Sequence, residues 1–310
     1  MRILMVGAGA TGGYFGGRLA QAGRDVTFLV RPGRARRLAE RGLRIKSPGG
    51  ETVLTPRLIT EVDGVYDLIL IAVKSYSLHQ ALSDLAPAAG RDAVIVPLLN
   101  GMRHIGELIQ RFGADRAWGG VCMIHGTLDE DGDVVQMSGL HRLSYGPLGD
   151  SSWSASSGQD EDGRLAAVTE ALSGAGFDSR PSTTIVQELW DKWVMLATLG
   201  AATTLLRGSI GAIHKAPGGP EFLHAIAAEA SAVAAAAGHP IQGRAAAMLE
   251  ATIATTEPTT SSMYRDLIQG LPVEGDAIVG DMVAEAAKHQ VPAPLLSAAH
   301  TGLSVYSSTL

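Results

Sequence analysis

The sequence has few of the features that mark secreted, membrane and nucleic-acid-binding proteins. Its 310 residues include one cysteine, Cys122, so an internal disulfide is excluded and a buried thiol is the ordinary role for that residue. Charged residues make up 18% and the net charge is -6, without a dense basic block to bind phosphate backbones. The Ala-rich segment 223–238 contains His224 and Glu229 and is therefore unsuited to span a bilayer. We expect a cytoplasmic protein with neither a membrane nor a nucleic-acid partner.

The first half of the chain contains a series of short apolar runs. They lie at 2–6, 25–30, 67–73 and 93–99, and the third and fourth are apolar throughout rather than alternating. Such runs are typical of strands buried on both faces of a parallel sheet. A helical pattern at 10–22 joins the first two runs and completes a βαβ unit. The first half is therefore predicted to be an α/β domain.

A glycine-rich segment follows the first apolar run. It matches the pattern G-x-G-x-x-G with the residues Gly7, Ala8, Gly9, Ala10, Thr11 and Gly12. Glycines at these positions allow a tight turn, close approach of the backbone to a pyrophosphate, and close packing of helix on strand. The N–H groups at the helix N-terminus bind the anion. We predict a Rossmann-type dinucleotide-binding domain; the alternative is a glycine-rich turn without a ligand.

The residue after the second strand indicates which dinucleotide binds. NAD-binding domains usually have an acidic residue there, which binds the ribose 2′-hydroxyl. This chain instead has Arg31, 19 positions beyond Gly12, with Arg34 nearby. A guanidinium suits a 2′-phosphate because it can form two parallel hydrogen bonds. The pattern favours NADP; the alternative is a solvated arginine.

Lys74 and Asn100 directly follow the third and fourth apolar runs. The carboxyl ends of parallel strands lie at the edge where open α/β sheets bind ligands. We therefore expect both side chains to contact the bound cofactor at its nicotinamide ribose. Taken singly, each is as well explained as a turn residue.

The pattern changes twice after residue 115. Short runs at 118–127, 133–137 and 142–145 predict antiparallel strands that finish the sheet. A polar, serine-rich stretch at 150–163 predicts a surface loop. A helix at 164–173 and a strand at 177–180 are expected to close the first domain.

From residue 183 onward the strand pattern is absent and helices are predicted. Their expected ranges are 183–206, 219–237, 241–255, 273–289 and 293–305. The predicted fold class is therefore α/β, with an NADP-binding Rossmann-type domain with a parallel sheet at 1–181. An all-helical substrate and dimerisation domain follows at 182–310. A cleft between two domains is the usual place for a ligand.

Several motifs along the chain occur together in one enzyme family. They are GAGATG at 7–12, VK at 73–74, NG at 100–101, ELWDK at 188–192, SSM at 261–263 and E-x-D at 274–276. With these motifs the chain resembles the ketopantoate reductase (2-dehydropantoate 2-reductase) family. That family reduces a 2-oxo acid with NADPH, in the cleft between a Rossmann domain and a helical domain. The resemblance extends nearly end to end, and ELW-x-K is its most specific motif.

The resemblance implies a role for five side chains. Lys192 is the general acid, Lys74 and Asn100 hold cofactor and substrate, and Ser262 and Glu274 complete the cleft, Glu274 by holding Lys192 or by binding cofactor. This agrees with the chemistry, because an ammonium group stabilises the alkoxide left by hydride transfer and can protonate it. Without the resemblance, the i, i+4 spacing favours a surface ion pair between Glu188 and Lys192.

The chain departs from the family on the helix that carries Lys192. Pantoate-forming enzymes have asparagines four and eight residues after the lysine, whereas this chain has Leu196 and Gly200. An apolar pocket cannot select for a substrate hydroxyl, so the reaction type is a safer inference than the substrate. Arg207, just beyond this helix, is predicted to pair with the substrate carboxylate. The alternative for Arg207 is a cation at the helix C-terminus.

The sequence therefore predicts NADPH-dependent reduction of a small 2-oxo acid, with 2-dehydropantoate as the first candidate. The alternatives are the same chemistry on a more apolar 2-oxo acid or ketone, and an NADP-binding sensor without turnover. The spacing of His125, His214 and His239 predicts no metal site. Apolar stretches at 225–237 and 278–287 are candidates for a subunit interface, so the sequence is compatible with a homodimer.

Overall fold

The computed structural model describes residues 1–149 and 163–310. These residues form two compact units, which we call the first and the second unit. The first comprises Met1–Leu99 and His104–Val186, and the second comprises Asn100–Arg103 and Gln187–Leu310. The boundary predicted from the sequence, after residue 181, lies five residues before the end of the first unit. Apart from Gly163, the serine-rich loop predicted at 150–163 lies outside the described residues.

The described part of the chain contains ten strands, all in the first unit. They are β1 (Arg2–Val6), β2 (Asp25–Leu29), β3 (Leu43–Ser47), β4 (Gly50–Leu54), β5 (Arg57–Ile59), β6 (Tyr66–Ile71), β7 (Ala89–Pro97), β8 (Trp118–Leu128), β9 (Val134–Pro147) and β10 (Asp178–Pro181). They belong to two five-stranded sheets.

The first sheet is parallel and has the strand order β5-β2-β1-β6-β7. Its central strand alternates between two hydrophobic cores, with Ile3 and Met5 in one and Leu4 and Val6 in the other. This two-sided burial explains why the strands are apolar throughout, and it confirms the predicted parallel sheet.

The second sheet has the order β10-β9-β3-β4, with β8 paired antiparallel to β9. The prediction that the strands after residue 117 finish the first sheet is therefore wrong. They join it only through a bridge between Ile95 and Ala117. The physical reason is that β9 pairs in parallel with both β3 and β10, which gives these strands a sheet of their own.

Twelve α-helices occur in the described residues. They are α1 (Ala10–Gln21), α2 (Pro32–Arg41), α3 (Leu78–Leu85), α4 (Arg103–Phe112), α5 (Arg164–Leu172), α6 (Ile185–Leu205), α7 (Ile210–Lys215), α8 (Gly219–Ala236), α9 (Gly243–Ile253), α10 (Ser262–Ile268), α11 (Asp281–Lys288) and α12 (Pro294–Ser307). A π-helix, Asp276–Gly280, directly precedes α11.

Helices account for the regular structure of the second unit, so the predicted fold class is confirmed. Four of the predicted helices match α6, α8, α9 and α12 to within two residues at each end. The helix predicted at 273–289 is instead the π-helix followed by α11, and the short helices α7 and α10 were not predicted. In the described ranges, no helix has both the length and the apolar character needed to cross a membrane.

Candidate active site

The glycine-rich segment forms the turn between β1 and α1. Gly7 has a φ of +96°, and its N–H donates to the carbonyl oxygen of Leu29 at 2.9 Å, so this turn requires glycine. A Cβ on Gly12 would overlap the Gly7 carbonyl oxygen, so the helix packs directly on the loop. Nothing lies within 4 Å of the Cβ position of Gly9. The middle glycine therefore leaves the space that the approach of a pyrophosphate requires.

The N-terminus of α1 also suits an anion. The helix begins at Ala10 after the N-cap Gly9, no side chain caps it, and no acidic residue lies in its first turn. Its first-turn N–H groups and its dipole favour negative charge. Together with the loop, these features fit a bound dinucleotide.

Two arginines near the end of β2 have different surroundings. Arg31 is exposed at the N-cap of α2, and its Nη2 donates to Ser77 Oγ at 3.1 Å. Arg34 instead donates from Nε to the carbonyl oxygen of Ala8 at 3.0 Å and from Nη1 to that of Gly132 at 2.8 Å. Arg31 is therefore the arginine with an exposed guanidinium near the loop. Sequence analysis did not identify Ser77.

Lys74 lies at the same edge of the first sheet. It is half-buried and immediately precedes a single 3-10 turn, Ser75–Ser77. Ala72, two residues earlier, donates its N–H to the carbonyl oxygen of Val6 at 2.9 Å. This hydrogen bond brings the segment that carries Lys74 to the start of the glycine-rich loop.

In the second unit, the π-helix Asp276–Gly280 is the common neighbour of three predicted site residues. It begins two residues after Glu274, which is 7% exposed. Gly101, next to Asn100, has a φ of +82°, and a Cβ there would overlap the carbonyl oxygen of Ala277. The Asn100–Gly101 turn therefore rests directly on the π-helix, and π-helical turns occur frequently at functional sites.

The helix α6 reaches the same π-helix through a tryptophan. Lys192 is half-buried, and its neighbour Trp193 is 2% exposed. Trp193 Nε1 donates to the carbonyl oxygen of Ile278 at 2.9 Å. The structure thus connects the segments of Lys192, Glu274 and Asn100 through one element.

An ion pair connects the segment Asn100–Arg103 to the rest of the second unit. The Arg103 guanidinium donates to the carboxylate of Asp281, at the start of α11. Asp281 is 8% exposed, and this burial raises the pKa of its carboxyl group while the Arg103 charge opposes the rise. Sequence reasoning missed the pair because 178 positions separate the two residues.

The two positions where the chain lacks the family asparagines differ in burial. Leu196 is half-buried and Gly200 is buried. A Cβ on Gly200 would lie 2.5 Å from the terminal methyl carbon of Met263. An asparagine at position 200 would therefore need Met263 to move.

Ser262 is the first residue of α10 and is half-buried. The preceding Ser261 caps this helix, because its Oγ accepts the Tyr264 N–H at 2.9 Å. Ser261 Oγ also lies 2.8 Å from the hydroxyl of Thr203 on α6. The structural role within the SSM motif therefore belongs to Ser261.

Arg207 is exposed, two residues beyond the end of α6. Its φ of 52° is unusual for a residue with a side chain. The Gly208 N–H donates to the carbonyl oxygen of Thr203 at 3.2 Å, and the Arg207 carbonyl accepts the Tyr264 hydroxyl at 3.2 Å. This left-handed turn ends α6 and brings Arg207 beside α10, the helix that begins with Ser262.

Comparison with known proteins decides the family. The family model "Ketopantoate reductase PanE/ApbA" matches residues 3–150, and "Ketopantoate reductase PanE/ApbA C terminal" matches residues 184–306. The chain belongs to the ketopantoate reductase family. The family predicted from the sequence is thus confirmed, and the protein is an oxidoreductase acting on CH–OH groups with an NAD(P)-binding Rossmann domain.

Individual members and structures agree with this assignment. The uncharacterized oxidoreductase YkpB of Bacillus subtilis is 34% identical, and the match covers 99% of each chain. The crystal structure of 2-dehydropantoate 2-reductase from Geobacter metallireducens has a TM-score of 0.85 at 27% identity, covering 98% of this chain and 99% of that one. D-mandelate dehydrogenase with NADH and anilino(oxo)acetate shares the fold, with a TM-score of 0.86 at 23% identity, covering 100% of this chain and 99% of that one.

Proposed function

We propose that this ketopantoate reductase family protein reduces a small 2-oxo acid with NADPH, and that 2-dehydropantoate is its first candidate substrate. The main support is the π-helix Asp276–Gly280. It follows Glu274, accepts the Trp193 hydrogen bond beside Lys192, and underlies the Asn100–Gly101 turn. These are the segments to which the resemblance assigns catalysis.

In the proposed reaction, bound NADPH supplies the hydride to the carbonyl carbon of the substrate. The Lys192 ammonium stabilises the negative charge that develops on the carbonyl oxygen and donates a proton to it from Nζ. The products are a 2-hydroxy acid and NADP⁺. Glu274, which is buried, would hold the Lys192 side chain in position or bind the cofactor. Asn100 and Lys74 would hold cofactor and substrate, and Ser262 would contact the substrate.

The cofactor preference depends on Arg31. We expect Arg31→Ala to raise the Kd for NADPH about 10- to 100-fold, because a charge-assisted hydrogen bond to the 2′-phosphate is lost. The Kd for NADH, which lacks this phosphate, should not change. Isothermal titration calorimetry with both dinucleotides measures this. An equal rise in the Kd for NADPH and for NADH would show that Arg31 does not bind the 2′-phosphate.

The substrate is tested by NADPH oxidation with a panel of 2-oxo acids. The panel contains 2-dehydropantoate and phenylglyoxylate, with a Gly200→Asn variant beside the wild type. Turnover of 2-dehydropantoate by the wild type would support the first candidate. Oxidation of NADPH with none of these acids, while NADPH still binds, would contradict the proposed reaction and favour the sensor.

A second candidate is the same reaction on a more apolar 2-oxo acid. It is favoured by the contact between the Gly200 position and the Met263 methyl group, and by Leu196. D-mandelate dehydrogenase, which shares the fold, was crystallised with the oxo acid anilino(oxo)acetate. Turnover of phenylglyoxylate but not of 2-dehydropantoate would select this candidate.

The homodimer and the cytoplasmic location expected from the sequence remain predictions.

The proposed contact between Arg207 and the substrate carboxylate gives a prediction with two readouts. We expect Arg207→Gly to raise the KM for the 2-oxo acid about tenfold, since a charge-assisted hydrogen bond is lost. The protein should not become less stable, because glycine relieves about 1–2 kcal/mol of left-handed backbone strain. Steady-state kinetics and thermal unfolding measure the two effects.

The matched control for Arg207→Gly is Gln290→Gly. Gln290 also has a side chain at positive φ, 56°, and lies beyond the end of α11. This variant should share the relief of strain and keep the wild-type KM. If Arg207→Gly also keeps the wild-type KM, Arg207 is a helix-terminal cation and not a substrate ligand.

A further inference from the structure

Arg34 makes two hydrogen bonds to backbone carbonyls in different parts of the first unit. One accepting residue is Ala8 in the glycine-rich loop, and the other is Gly132 in the turn between β8 and β9. The third guanidinium nitrogen, Nη2, is buried from solvent. Burial lowers the pKa of Arg34, the Arg37 charge lowers it further, and Asp133 opposes this. Two of the three guanidinium nitrogens therefore donate to the protein's own backbone, and these hydrogen bonds would be lost if the side chain turned toward a 2′-phosphate.

The turn that accepts this hydrogen bond is itself held by charges. Lys46 Nζ lies 2.7 Å from Asp129 and 3.0 Å from Asp133, which is 5% exposed. The Gly132 N–H donates to the Asp129 carbonyl at 2.8 Å. A Cβ on Gly132 would lie 2.8 Å from Arg37 Nη1 and 2.9 Å from Arg34 Nη1, so glycine makes room for both guanidinium groups. Arg34 thus connects the glycine-rich loop to the turn between β8 and β9, and the Lys46 ion pairs hold this turn.

The hydrogen bond to Ala8 has a consequence for the next residue. The Ala8 carbonyl and the Gly9 N–H belong to one peptide unit, which is planar and trans, so they point in opposite directions. By fixing the carbonyl, Arg34 also fixes the direction of the Gly9 N–H. Gly9 caps α1 and has open space around its Cβ position. The fixed N–H therefore belongs to the part of the loop that suits an anion.

We propose that Arg34 is a positioning residue of the cofactor site, which orients the Ala8–Gly9 peptide so that the Gly9 N–H meets the pyrophosphate. This role differs from that of Arg31, which is predicted to bind the 2′-phosphate. The two roles predict different effects on the binding of NADPH and NADH. The pyrophosphate is common to NADPH and NADH, whereas the 2′-phosphate is present in NADPH alone. The inference rests on the dinucleotide site of the proposed function and not on its substrate.

The test compares cofactor affinities of an Arg34→Lys variant by isothermal titration calorimetry without substrate. Lysine keeps the charge and the aliphatic stem but cannot donate from two fixed nitrogens to two carbonyls. We expect the Kd for NADPH and the Kd for NADH to rise by the same factor, about tenfold. Arg36→Ala, an exposed arginine on the same helix, is the matched control and should change neither value.

The alternatives give different results. A rise in the Kd for NADPH alone, as expected for Arg31→Ala, would overturn the proposal and make Arg34 a 2′-phosphate ligand. Unchanged values for both dinucleotides would also overturn it. Should Arg34→Lys fail to fold, Arg34→Met keeps an aliphatic side chain without a hydrogen-bond donor, and the same equal rise is expected. Because binding is measured without turnover, failure of the proposed reaction would leave this result intact.

Discussion

Replacing Lys192 with alanine will lower kcat for the 2-oxo acid substrate by a factor of about 10²–10⁴, which is the usual contribution of a general acid. The variant loses the ammonium group that stabilises the alkoxide and supplies its proton. The Kd for NADPH should not change, because the proposed role of Lys192 is toward the substrate oxygen. Steady-state kinetics and calorimetry separate the two quantities.

Two further lysine variants make this test specific. Lys192→Arg keeps a positive charge but scarcely releases a proton, so kcat should remain low. Lys215→Ala removes an exposed lysine at the end of α7 and should leave kcat unchanged. Wild-type kcat in Lys192→Ala would contradict catalysis by this residue and support the alternative surface pairing with Glu188.

The sequence was informative where burial is regular along the chain. The strands β1 and β6 alternate between two cores, so apart from Arg2 and Asp67 their residues are apolar and the run is visible. The strand β3 (LRIKS) is buried on one face only, and β4 (GETVL) is half-buried or exposed throughout. Both carry charged residues, so no apolar run marks them. They pair with each other as a hairpin, but β3 also pairs with β9, far along the chain, with Ile45 opposite Val134. Local patterns carry no information on that second pairing.

The candidate site shows the same limit. Motifs located Lys192, Glu274 and Asn100, but the contacts that connect their segments join residues distant in sequence. Trp193 and Ile278 are 85 positions apart. Nothing in the local pattern of 273–289 distinguishes a π-helix from an ordinary helix. Likewise, composition alone could not tell that Arg31 is exposed while Arg34 binds backbone carbonyls.

The hydrogen bond from Trp193 to Ile278 leads to the second large expected effect. Trp193→Ala will lower the free energy of unfolding by about 3–5 kcal/mol, because a fully buried indole is removed from the core. Trp193→Phe keeps most of the apolar volume and leaves the Ile278 carbonyl without its donor, at a cost of about 1–3 kcal/mol. Urea denaturation measures both. Since the bond connects α6 to the π-helix, we also expect kcat to fall in the Phe variant, by up to about 10² if Lys192 shifts by about 1 Å.

The neighbouring Trp190 provides the matched control for this hydrogen bond. It is 4% exposed, its ring stacks on His239 with centroids 5.2 Å apart, and its Nε1 has no hydrogen-bond partner among the described residues. Trp190→Phe therefore removes a similar volume of buried indole without breaking a hydrogen bond. The two rings also contact each other, with centroids 4.9 Å apart, so both Phe variants alter that shared contact. The additional loss of stability in Trp193→Phe then reports on the bond to Ile278. If both variants lose the same stability and keep wild-type kcat, the bond does not hold α6 to the π-helix, and the support that it gives to the proposed site is lost.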